Sequence, residues 1–248
     1  MTKEELLKRQ NEIDEEIVNL WGKEASLDGI TDIDTYLKNE LNTLWILKET
    51  NRDMLPKENF NQREFNKCGS GWGVGTYTNI MKTNIGIIEY GASGGKVKLY
   101  EKDLPKLVIE DGNRDYKSYR SEISQEQIFP MDEVAMINVH KGIGGKNSDN
   151  AFIAAQYNRP EVRKIILEQV EYINPELIIV CNKVEKLLCD LAEVESITSF
   201  RDGDDGAKFY KNGKRLIISV GHPLIMGQKG MTSEKYCNSI LDIVYNEL

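Results

Sequence analysis

Hydrophobic positions recur along this chain in two rhythms. Between residues 2 and 21, Leu6, Ile13, Ile17, Leu20 and Trp21 fall at helical spacing among many charges. That spacing predicts an amphipathic N-terminal helix ending near Gly22. Asp32 stands where its side chain can cap a second, short helix. From residue 43 the pattern changes. TLWILKE (43–49), DEVAMINVHKGIGG (132–145), PELIIVCN (175–182) and KRLIISVGHP (214–223) are each an apolar run with a polar exit. The runs lack clean alternation and are rich in Ile, Val and Leu, as expected for strands covered on both faces. They predict strands near 43–48, 133–139, 176–181 and 215–220. Helical patterns lie between or after them. Residues 159–173 carry Pro160 in the first turn and Val162, Ile165, Ile166, Val170 and Ile173 on one side. Residues 183–195 and 233–248 also read as helices.

Strands alternating with helices predict an α/β domain, a three-layer α/β/α arrangement with a four-stranded, mainly parallel sheet. Residues 41–248 form that domain, and 1–40 form a helical extension packed on it. Residues 90–130 are polar and rich in turn signals, reading as a surface insertion or a small hairpin. In a parallel sheet, ligands bind outside the carboxyl ends of the strands. That rule nominates residues 48–53, 138–147, 182–183 and 221–228.

The chain has 248 residues, 40% hydrophobic and 29% charged, enough to bury a substantial core. No run approaches 18 consecutive apolar residues, and the first 16 are charged throughout, so neither a membrane span nor a signal peptide is expected. Four cysteines with no CxxC pair exclude a disulfide framework or zinc ribbon, and two histidines exclude a histidine-rich metal site. The expected setting is reduced and cytoplasmic. Net charge is −8, of which −6 lies in residues 1–40, leaving the main body at −2. That balance argues mildly against a polyanionic partner but allows a local basic groove.

Two nucleotide-binding motifs fail on spacing. Only two residues separate Gly142 from the Gly145–Lys146 pair, and Asn147 occupies the hydroxyl position of a phosphate loop. The G-x-G-x-x-G fingerprint begun by Gly71 and Gly73 ends on Thr76. What survives is a glycine-rich loop whose lysines, Lys141 and Lys146, can hold a phosphate. The stronger constellation is spread over the strand exits. The first ends ILKETN with Glu49, the second MINVHKG with Asn138, and the fourth SVGHPLIMGQ with His222 in a His-Pro turn.

This order of segments resembles the uracil-DNA glycosylase superfamily. The corresponding stretches are ILKETN, MINVHKG, ELIIVCN and ISVGHPLIMGQKGMTSEKYCNSI, covering roughly residues 41–248. The chain departs from the family at several positions. Lys48 replaces a Gly before the acid, Thr50 an Asp, Asn51 a Pro, and Leu224 the Ser after His-Pro. Glu49 matches the family branches that carry Glu.

The resemblance implies hydrolysis of the N-glycosidic bond of uracil or a modified pyrimidine in DNA, without metal or redox cofactor. Positive charge develops on the sugar and negative charge on the departing base. Glu49 would steady the first and orient water, and His222 would donate to the second. Asn138 would read the edge of a flipped base, with Asn51 nearby and Trp72 stacking on it. Tyr77 and Phe65 are alternative stacking residues. Lys141, Lys146, Pro223, Leu224 and Lys229 would contact DNA, with Leu224, Ile225 or Met226 as the wedge. The expected protein is a monomer that binds duplex or single-stranded DNA. The alternative is a non-catalytic module of the same fold that binds nucleic acid, nucleotide or protein.

Overall fold

An apolar run without alternation needs cover on both sides, and the four runs receive it at the centre of a sheet. The computed structural model describes residues 1–51, 60–68, 74–96, 109–110, 113–114, 131–144, 149–213, 215–223 and 230–248. Seven strands form the main sheet. They are β1 (Gly29–Ile30), β2 (Thr43–Leu47), β3 (Val134–Asn138), β4 (Leu177–Val180), β5 (Arg201–Asp202), β6 (Lys208–Asn212) and β7 (Arg215–Ser219). Their spatial order is β5-β6-β7-β4-β2-β3-β1. Strands β7, β4, β2 and β3 are mutually parallel, with Leu177 beside Thr43 and Leu216, and Thr43 beside Val134. The two flanks are antiparallel.

The expected four-stranded sheet is therefore corrected to a mixed, seven-stranded one, in which the four legible runs are the parallel middle. The flanking strands escaped the pattern for a physical reason. β5 is two exposed polar residues and β1 only Gly-Ile, while β6 alternates polar residues with Phe209 and Tyr210. Neither length nor apolarity marks them.

Eight helices frame the described sheet: α1 (Lys3–Trp21), α2 (Ile33–Tyr36), α3 (Gln62–Cys68), α4 (Val74–Ser93), α5 (Asn150–Tyr157), α6 (Pro160–Ile173), α7 (Glu185–Ala192) and α8 (Ser233–Glu247). Strand residues divide by period two between two cores. Leu44, Ile46, Ala135, Ile137, Ile178 and Val180 join side chains of α1, α2, α5, α6 and α7. Trp45, Leu47, Met136, Ile179 and Ile218 join α4 and α8 on the other face. Helix ends follow their local chemistry. Thr2 and Glu5 form a capping box on α1, Asp32 caps α2 through the Thr35 N–H, and Pro160 opens α6.

Two features differ from expectation. The first residues of the chain are part of the core, since Leu6, Ile13 and Ile17 of α1 are buried with the sheet and β1 pairs with β3. And α4 was hidden by its composition, VGTYTNIMKTNIGIIEYGAS, in which Thr, Asn and Gly obscure the helical period. Gly86 within it has a packing role. A Cβ there would come within 2.8 Å of the Leu241 methyls, so its absence lets α4 lie close against α8.

Candidate functional site

Numbered along the chain, the four parallel strands lie in the order second, first, third, fourth. The crossover direction reverses between the first and the third, β2 and β4, and a crevice opens at such a switch point beyond the carboxyl ends. Glu49 leaves β2 there, Asn138 ends the neighbouring β3, and His222 follows β7. Beyond the strands the ladder continues. Val139 donates its N–H to the Leu47 carbonyl at 3.1 Å and His140 to Lys48 at 2.9 Å. Thr50–Asn51 then pairs in parallel with Ile143–Gly144. The loops after β2 and β3 thus leave the sheet as one unit.

Glu49 is half-buried with its carboxyl lying on Gly144, where any Cβ would collide with it. The glycine-rich exit of β3 therefore makes room for an acid from β2, a coupling that motif spacing does not show. His222 is also half-buried. Burial, then the nearby Lys48 charge, pushes its pKa down to about 4, so the imidazole is neutral at neutral pH and one ring nitrogen carries a proton to donate. The Lys48 effect also puts His222 within electrostatic reach of the β2 exit, one residue from Glu49.

The backbone on either side of His222 is fastened. Tyr236 of α8 donates its hydroxyl to the Gly221 carbonyl at 3.1 Å, and Asn79 of α4 donates its amide to the Pro223 carbonyl at 2.6 Å. Ser233 donates in turn to the Asn79 oxygen. Pro223 itself is buried, so its observed role is to anchor the turn, not to present its ring to DNA. Asn79 and Tyr236 carried no motif, and only the long-range fold brings them here.

Asn138 is 2% exposed and its orientation is set from beneath. Its backbone N–H donates to Asp28 Oδ2 at 2.7 Å, and its Nδ2 lies 3.4 Å from the same oxygen. Lys141 is corrected outright. It is wholly buried, with Nζ 2.8 and 2.9 Å from the two Asp28 oxygens, so its charge is spent inside the protein and not on a phosphate. Gln169 Nε2 completes the cluster at 2.9 Å from Asp28 Oδ1. Beside it Arg63 pairs with Asp14 and donates to the Asp28 carbonyl. A buried carboxylate is tolerable only with such a full set of donors.

Of the other expected site residues, Trp72, Lys146, Leu224 and Lys229 lie outside the described residues, as do the side chains of Asn51, Phe65 and Tyr77. His140 is held between Trp21 and Phe152, ring to ring at 6.4 and 5.2 Å. At the third strand exit Asn182 is buried, its oxygen taken by the Val184 N–H and its Nδ2 without a partner among the described residues. Among the described residues no group of three His, Cys, Asp or Glu side chains is disposed to hold a metal ion, and no helix is long and apolar enough to cross a membrane. No family model matches this sequence, and no curated protein matches it.

Proposed function

We propose that this protein is a DNA base glycosylase that hydrolyses the N-glycosidic bond of uracil or a modified pyrimidine. The observation that carries the reading is the meeting of Glu49, Asn138 and a neutral His222 at one end of the parallel sheet, beside its switch point. The three residue types supply the three needs of the reaction. As the bond to the base lengthens, the sugar gains oxocarbenium character and the base gains negative charge on its carbonyl oxygen. The Glu49 carboxylate opposes the first charge and orients the water that attacks the anomeric carbon. His222 donates an N–H to the second. A neutral donor suffices, because its hydrogen bond strengthens as charge develops in a site removed from bulk water. Asn138 offers an amide to the edge of an extruded base.

A binding module on the same fold is the second reading, and Lys48 favours it. An ammonium next to the water-activating acid opposes a cationic sugar while attracting phosphate. Incubation with oligonucleotides carrying one uracil or modified pyrimidine, single-stranded and duplex, separates the two. Base release by the native chain is expected, with Glu49→Gln lowering the rate about 10²–10⁴-fold because the acid–base group is lost and the shape kept. DNA binding with no base released from any substrate would establish the module instead. Absence of both would overturn each reading.

A further inference from the structure

The buried cluster around Asp28 has more in it than support for a chain terminus. A carboxylate only accepts hydrogen bonds. The atom of the Asn138 side chain that approaches Asp28 Oδ2 is therefore the amide nitrogen, whatever amide orientation is drawn. The backbone N–H of Asn138 reaches the same oxygen, and Lys141 and Gln169 hold that carboxylate from the other side. All four residues are at most 2% exposed, so no solvent competes for these bonds. Gly29, at φ +139°, lets the chain bring Asp28 in close beneath Tyr172 and Gln10, where a Cβ would meet their polar atoms at 2.6 and 2.7 Å.

Resting on the glycosylase reading above, we infer that Asp28 is a positioning residue for base recognition. It turns Asn138 Nδ2 inward, so that the amide addresses a base with its Oδ1 and with the second Nδ2 hydrogen. That pairing fits a base edge carrying a ring N–H beside a carbonyl. It rejects an edge with a ring acceptor beside an amino group, because two donors and two acceptors would then face each other. The residue setting this preference comes from the N-terminal segment, which the sequence places outside the catalytic motifs.

The test uses two variants of the full chain that differ only in the acceptor. Asp28→Leu with Lys141→Met replaces a buried ion pair by apolar side chains of similar bulk, an exchange that proteins often tolerate. Asp28→Asn with Lys141→Met keeps one acceptor oxygen for the fixed Asn138 N–H, while Gln169 can turn its amide to meet the new NH₂. Expected for the Leu/Met variant is a fall of roughly tenfold or more in the ratio of kcat/KM for uracil over cytosine in single-stranded oligonucleotides. The Asn/Met variant should retain the ratio. Hydrogen exchange of the Asn138 side-chain amide, followed by NMR, should be slow in the native and Asn/Met chains and fast in the Leu/Met chain. An unchanged ratio in the Leu/Met variant overturns the inference. So does an Asn138 amide that exchanges as fast in the native chain as in that variant. If the native chain releases no base, the glycosylase reading fails and the base-selecting role fails with it, while the exchange data still decide whether Asp28 orients Asn138.

Discussion

Lys48 and His222 are bound by a simple electrostatic relation that can be read in solution. Burial is the larger cause of the low His222 pKa and the Lys48 ammonium the second, both disfavouring the imidazolium. Lys48→Met removes only the second. The His222 titration followed by NMR should therefore move up from about 4 without reaching the ordinary value of 6.5. A midpoint unmoved by the substitution would mean that Lys48 does not act on the ring. Glu49, Asn138 and His222 were legible because polar residues directly after an apolar run stand out. Lys141 was misread for the same reason: a lysine in a glycine-rich exit looks like a phosphate ligand until its partner is known. That partner, Asp28, sits in SLDGI, a segment with no motif, 113 positions away. Local sequence carries no trace of such a pair.

Among the elements, the long and apolar ones announced themselves. All four parallel strands and the helices α1, α6, α7 and α8 lie within a few residues of where period and punctuation put them. The two-residue strands and α4 did not, since their stability comes from what they pack on and not from their own sequence. The α4–α8 contact makes this testable. Gly86→Val would force a branched side chain against Leu241 and the Tyr245 hydroxyl, where even a single Cβ has 2.8 and 3.2 Å of room. The gain in helix propensity is a few tenths of a kcal/mol. Overpacking of this kind costs about 1–3 kcal/mol. Net destabilisation is expected as a lower urea midpoint at unchanged slope, and an unshifted midpoint would refute the tight packing. Because Asn79 of α4 and Tyr236 of α8 hold the His222 turn, base release should weaken with the same substitution even where the protein stays folded.

For the molecule as a whole, pH acts from both ends of the sheet. Glu133, directly before β3, is 3% exposed, and burial followed by repulsion from Asp132 raises its pKa to about 7. The unfolded chain releases this proton near 4.5, before the folded one does. Stability therefore falls as pH rises from 4.5 to 7, by up to about 3 kcal/mol, and the cost is full above 7. His222 works in the opposite sense. Its folded pKa is depressed, so stability falls as pH drops below 6.5 toward 4. Glu133→Gln should raise Tm at pH 8 and leave it nearly unchanged at pH 4.5, and equal shifts at both would exclude the titration as cause. The Asp28 cluster also constrains the order of events during synthesis. Asp28 is made early, but Lys141 follows 113 residues later and Gln169 141 later. A nascent chain must carry an unmatched carboxylate in water until more than two thirds of its length has been made. Closing such distant contacts is slow. The N-terminal helix and β1 are thus the first residues to be translated and among the last able to lock into place.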